Sequence, residues 1–91
     1  MSETPRIDYA PPRKHSLTLR GHRTSVSLED PFWRAFRQIA RDEGKPLNVL
    51  AAEIDAARGV DSGLAGAIRL FVLARLQERA KTIEIEGEVS R

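Results

Sequence analysis

The chain has 91 residues, with 15 Lys and Arg against 13 Asp and Glu, so its formal net charge is only +2. That length holds one small domain, and a core this limited makes folding as half of a dimer a serious option. There is no cysteine, which excludes disulfides, cysteine-ligated zinc and a thiol nucleophile, and fits a reducing intracellular compartment.

Charge is unevenly placed. Twenty consecutive residues between Asp8 and Glu29 contain no acid but include Arg13, Lys14, Arg20 and Arg23, with His15 and His22 beside them. The other end carries Glu84, Glu86 and Glu88 against Lys81 and Arg91. An asymmetry of this kind points to a charged partner. The longest apolar run, Leu70 to Ala74, is five residues, whereas a membrane span needs about 20. Residues 1–12 also lack the apolar stretch of a secretory signal, so no membrane association is expected.

Residues 1–14, rich in proline and without periodicity, read as a flexible N-terminal arm. From His15 the sequence alternates in two short runs, Ser16-Leu17-Thr18-Leu19 and Arg23-Thr24-Ser25-Val26-Ser27-Leu28, separated by Arg20-Gly21-His22. Period-2 alternation with β-branched residues predicts strands. In the second run Thr24, Val26 and Leu28 share one face, and Arg23, Ser25 and Ser27 share the other. Gly21 allows a hairpin, although Arg-Gly is not the strongest turn pair.

Three helices are predicted next. Asp30-Pro31 is a start signal, with Asp30 as N-cap. Phe32, Phe36, Ile39 and Ala40 then form an apolar stripe, and Gly44 is a stop. A second helix over 46–58 presents Leu47, Leu50, Ala51, Ile54 and Ala57. Asp61-Ser62 caps a third over 62–80, with Leu64, Ala67, Ile68, Phe71, Val72 and Leu76 as its apolar face. Residues 81–91 form an acidic tail whose Ile83/Ile85 alternation fits either a strand or a solvated segment.

Two short strands offer little intramolecular sheet, and a lone strand must find partners for its backbone. One solution pairs Arg23–Leu28 antiparallel with its copy across a two-fold axis. Arg23, Ser25 and Ser27 of both chains would then face outward on a two-stranded ribbon of the size the DNA major groove admits.

The run Arg23-Thr-Ser-Val-Ser-Leu28, the following Glu-Asp-Pro-Phe-Trp, then Ile39-Ala-Arg-Asp-Glu-Gly44 and Lys-Pro-Leu-Asn48, resemble the Arc/MetJ-type ribbon-helix-helix DNA-binding family. Over residues 13 to 76, including Ala-Ile-Arg-Leu-Phe-Val-Leu73, the similarity is closer to a bacterial subfamily of ribbon-helix-helix domains. The resemblance implies a mainly α fold with one short N-terminal strand or hairpin, built as an intertwined homodimer with an intermolecular ribbon. It places base contacts on Arg23, Ser25 and Ser27, and a phosphate clamp on Lys45, Leu47 and Asn48 at the start of the second helix. An anion is attracted there by free N–H groups and the helix dipole, although Pro46 removes one donor. Arg13, Lys14, Arg20 and His22 are further candidates for phosphate contact, because they flank the same strands.

The basic family unit has one helix after the clamp, and here there are two. The third is read as an addition, because Gly44 and Asn48 directly follow the first helix as a clamp requires; the alternative makes 46–58 an insertion and moves the clamp to Asp61-Ser62-Gly63. The domain is thus 15–80. Arg34, Arg37 and Arg41 read as a solvated helix face, with phosphate contact as the alternative, and Trp33 as packed at a dimer interface or on the third helix. No catalytic constellation, metal-ligand spacing or cofactor loop is present in the sequence, so no enzyme and no cofactor are expected. The resulting expectation is a cytoplasmic, nucleoid-associated transcriptional repressor that binds double-stranded DNA as a homodimer, with higher oligomers on DNA open. The alternatives are an antitoxin of the same fold, or a dimeric interaction module whose helix 62–80 or acidic tail takes a protein partner.

Overall fold

Residues 6–89 are described by the computed structural model. The first five residues of the expected arm and the last two of the expected tail lie outside it. The elements run β1 (Arg13–Leu19), β2 (His22–Leu28), α1 (Asp30–Asp42), α2 (Leu47–Ala57) and α3 (Leu64–Val89). Among the described residues, no helix is long and apolar enough to cross a membrane.

β1 and β2 pair antiparallel within the chain, from Arg13↔Leu28 to Leu19↔His22. The two-residue loop is Arg20-Gly21, both with positive φ (51° and 83°), the signature of a type I′ turn whose twist matches the strands it joins. Of the two arrangements expected, a strand or a hairpin, the hairpin is formed, so the two-stranded ribbon seen here lies within one chain. Its stability comes from its inner face, where Leu17, Val26 and Leu28 are buried in the core. A hairpin laid on helices does not need a larger sheet. β1 also begins two residues earlier than His15, so Arg13 and Lys14 belong to the strand and not to the arm.

The core joins those three residues to Phe36, Ile39 and Ala40 of α1, Leu50, Ala51 and Ile54 of α2, and Ile68 and Val72 of α3. Phe32 and Phe71 pack only partly against it. Two expected core positions are exposed: Ala57, the last residue of α2, and Leu76, because α3 turns its Ile68, Val72, Arg75 and Arg79 side towards the body. Trp33 stacks on His15 (centroids 4.0 Å apart, planes 7° apart) and meets Phe36 at 6.1 Å. It thereby anchors the first turn of α1 beneath β1, while the His15 Nε2 is buried without a partner among the described residues.

Helix ends follow local chemistry with some shifts. The N-cap of α1 is Glu29, one residue before Asp30, and Pro31 lies in the first turn. Gly44, with φ +67°, ends α1. Its N–H donates to the Arg41 carbonyl (3.1 Å) and that of Lys45 to Ala40 (2.9 Å), the two bonds of a Schellman stop. Pro46 is the N-cap of α2. α3 starts two residues after Ser62 and continues through Val89, so the alternating tail is not a strand. Glu78 to Lys81 are strong helix formers, and extending an existing helix is cheap compared with nucleating one.

Ion pairs fasten α3 to α1 and to the end of β2. Arg69 Nε donates to Glu29 Oε1 (2.8 Å), and Arg75 Nε to Glu43 Oε2 (2.7 Å). Arg79 lies 3.1 Å from Asp42. The hydrogen bond from Arg69 lowers the Glu29 carboxyl pKa, and that from Arg75 lowers the Glu43 pKa.

A two-stranded sheet has two open edges. A two-residue loop makes Leu19↔His22 a hydrogen-bonded pair, and pairs alternate from there. Lys14, Ser16 and Thr18 therefore direct their N–H and C=O groups away from β2, and Arg23, Ser25 and Ser27 direct theirs away from β1. The β1 edge is met at one point, where the Thr18 N–H donates to Asn48 Oδ1 of α2 at 3.1 Å; the outward N–H groups of Lys14 and Ser16 have no acceptor among the described residues. On the β2 edge the Ser27 carbonyl receives a long 3.4 Å bond from Arg69. The Arg23, Ser25 and Ser27 N–H groups have no acceptor among the described residues.

Two outcomes follow from these contacts. Asn48→Ala should speed solvent exchange of the Thr18 amide at least tenfold and cost about 1 kcal/mol in denaturant unfolding; an unchanged rate would mean that Asn48 does not cap the edge. Glu29 and Glu43 bind protons more weakly folded than unfolded. Their stabilising contribution is therefore full above the unfolded carboxylate pKa, about 4.3, and is lost as pH falls through the lower folded values. In acid titrations followed by circular dichroism, Glu43→Gln should make the acid loss of stability less steep.

Candidate nucleic-acid interface

The register brings six side chains onto the outer face of the hairpin as three cross-strand pairs: Lys14 with Ser27, Ser16 with Ser25, and Thr18 with Arg23. All six are exposed, and none is acidic. The expected base-contacting residues Arg23, Ser25 and Ser27 therefore share one face, as the alternation of β2 implies. Ser16, Thr18 and Lys14 join them from β1. The same period-2 signal ran through Ser16-Leu17-Thr18-Leu19, but only the hairpin register places the two rows side by side.

The two charges of this face sit at opposite corners, Lys14 near the base and Arg23 near the turn, with four hydroxyl groups on the remaining positions. Neither cation has a carboxylate within salt-bridge distance among the described residues. Arg20 and His22 lie exposed at the turn. Arg13, at the base on the inner-face row, is held 3.7 Å from Asp30, so its charge is partly matched. Guanidinium can bond bidentately to the guanine O6/N7 edge, and hydroxyls donate or accept with little base preference.

The start of α2 adjoins this face. Asn48 lies in its first turn and bonds β1 at Thr18, so helix terminus and outer row are held together. Because Pro46 occupies the N-cap, the helix keeps the N–H groups of Leu47 and Asn48, which have no acceptor one turn back. Pro46 thus removes no donor from the helix itself. Lys45 Nζ is 2.7 Å from Glu53 Oε1, which neutralises its charge at this end. The sequence carried no signal for that pairing, because Lys45 and Glu53 are eight residues apart and meet only through the loop geometry before α2.

The arginines of α1 extend the basic surface. Arg34, Arg37 and Arg41 are exposed, and the Arg41 guanidinium donates to Gln38 Oε1 at 3.0 Å. A shallow depression lined by Arg34, Arg37, Gln38 and Arg41 runs into a second lined by Arg37, Arg41, Lys45, Pro46 and Leu47.

A polar two-stranded ribbon followed by three helices, with the N-terminus of the second beside the ribbon, is the arrangement found here. No curated protein and no solved structure matches the chain. The family described as "Ribbon-helix-helix domain" matches residues 12–76, a stretch that runs from the start of β1 to the middle of α3. The match takes in the hairpin, α1, α2 and the first half of α3, and the chain belongs to the ribbon-helix-helix domain family.

Proposed function

We propose that this chain is a sequence-specific DNA-binding transcriptional regulator, acting as a repressor and binding duplex DNA as a homodimer. The observation that carries this reading is the acid-free outer face of the hairpin, locked through Asn48 and Thr18 to the N-terminus of α2.

The open β2 edge supplies the dimer contact. Antiparallel pairing of β2 with its copy satisfies the outward N–H and C=O groups of Arg23, Ser25 and Ser27 in both chains, and such an edge is self-complementary under a two-fold axis. The result is a four-stranded sheet in which the two β2 strands are central and β1 lies outside each. With strands about 4.8 Å apart, the outer pair is separated by about 14 Å, which exceeds the roughly 12 Å major groove. The central strands alone reach the groove floor. Arg23, Ser25 and Ser27 of both chains then contact base edges, while Lys14, Arg13, Arg20 and His22 lie at the groove walls near phosphates. Leu47 and Asn48 offer their N–H groups to flanking phosphates, and Lys45 joins them once the phosphate competes with Glu53. A two-fold protein reads an inverted repeat.

A second reading is favoured by α3. Leu70, Leu73, Leu76 and Ile83 are 67%, 49%, 46% and 68% exposed along it, an apolar surface larger than DNA reading requires. In this reading the fold serves as an antitoxin or interaction module that holds a protein partner on α3.

Selection from random duplexes at physiological salt should recover an inverted repeat. Against that site Arg23→Ala should lose about 1–3 kcal/mol of discrimination. Lys14→Ala should weaken all sequences alike and lower the salt slope by about 1. Unchanged discrimination in Arg23→Ala would overturn the groove reading, and absence of any salt-sensitive duplex binding would leave the interaction module.

A further inference from the structure

We infer that the arginine face of α1 is a second phosphate-contact surface, which carries the DNA backbone past the ribbon and along α1. The inference rests on the DNA-binding reading above and extends its footprint to residues that the sequence read as a solvated helix face, with phosphate contact only as the alternative.

Arg34, Arg37 and Arg41 recur at i, i+3 and i+7, so they stand on one side of α1, roughly opposite Phe36 and Ile39. None of the three has an acid within salt-bridge distance among the described residues. The nearby carboxylates are engaged elsewhere: Asp42 by Arg79 at 3.1 Å, Glu43 by Arg75 at 2.7 Å, and Glu53 by Lys45 at 2.7 Å. Asp42 also accepts a 2.8 Å bond from Gln38, the neutral residue between the arginines. Like charges at this spacing repel within a helix, and only Arg41 lies in the last turn, where the helix dipole favours a cation. No ion pair or hydrogen bond within the fold employs the Arg34 or Arg37 side chain among the described residues. A polyanion would, because planar guanidinium groups bind phosphate oxygens bidentately.

Position selects DNA as that polyanion. The arginine face opens directly onto Lys45, Pro46 and Leu47. The next residue, Asn48, is bonded to Thr18 on the outer row of the ribbon. One unbroken surface thus leads from the ribbon over the α2 N-terminus to Arg41, Arg37 and Arg34. A backbone that leaves the groove beside Leu47 meets the arginines next, which an unrelated acidic protein would have no reason to follow.

The test is the triple variant R34Q/R37Q/R41Q, measured by titration into a mixed-sequence duplex over a range of salt concentrations. The unaltered protein and R34K/R37K/R41K serve as references. Loss of two or three phosphate contacts should lower the slope of log K against log salt by about 2–3 per chain and weaken binding at least tenfold. Discrimination between sites should stay constant, and the lysine variant should keep most of the slope. A triple glutamine variant with unaltered melting temperature, slope and affinity would overturn the inference. That failure is separable from failure of the DNA reading, in which the unaltered protein itself shows no salt-sensitive binding.

Discussion

A two-stranded sheet is viable in water only if one face is buried and its edges are answered, and this constraint organises the whole chain. Leu17, Val26 and Leu28 commit the inner face to the helices, which fixes the strand register, since a one-residue slip would turn every side chain over. Fixing the register in turn sends Lys14, Ser16, Thr18, Arg23, Ser25 and Ser27 outward together. The polar face is therefore a consequence of apolar packing, and its alignment costs the protein nothing further. Asn48 answers the β1 edge at Thr18 from within the chain. On the other edge the N–H groups of Arg23, Ser25 and Ser27 have no acceptor among the described residues, and the proposed dimer would pair them with a second copy of β2.

Electrostatics is divided between structure and surface. Acids of the folded body, Glu29, Asp42, Glu43 and Glu53, each hold a specific cation. These pairs tie α3 to α1 and the loop before α2 to its own helix. Exposed pairs of this kind contribute little individually, and their larger effect is on what remains unpaired. Lys14, Arg20 and Arg23 on the hairpin, and Arg34, Arg37 and Arg41 of α1, have no carboxylate within salt-bridge distance among the described residues, although Asp55 borders the depression beside Arg20 and Arg23. The net charge of +2 thus describes neither part: most acids of the body are matched by specific cations, and the unpaired cations lie on the hairpin and on the outer side of α1.

Much of this was legible in the sequence, for reasons that can be located. Alternation from Arg23 to Leu28 fixed which residues of β2 face outward, and Gly44 marked the end of α1 through its positive φ. The hairpin was harder to read, because its turn places Arg20 at φ 51°, a conformation that asparagine or aspartate adopts more readily. The strand order within the chain therefore looked weaker than pairing between chains. Ile83 and Ile85 alternate like a strand, yet they lie on a helix already nucleated from Leu64, and propagation overrode the local pattern. Leu76 satisfied a helical stripe in sequence, but crossing helices choose which side of a long helix is covered. Contacts across long separations, such as His15 on Trp33 and Thr18 on Asn48, leave no local signature at all.

The pairing of β2 with its copy is the claim on which the reading of the groove depends most. Amide hydrogen exchange of Arg23, Ser25 and Ser27, followed as protein concentration is raised through the range in which sedimentation reports dimer formation, tests it residue by residue. The expected result is protection of these three amides that appears with the dimer, while Thr18 stays protected at every concentration. Dimer formation that leaves the Arg23, Ser25 and Ser27 amides exchanging as in the monomer would contradict the paired edge.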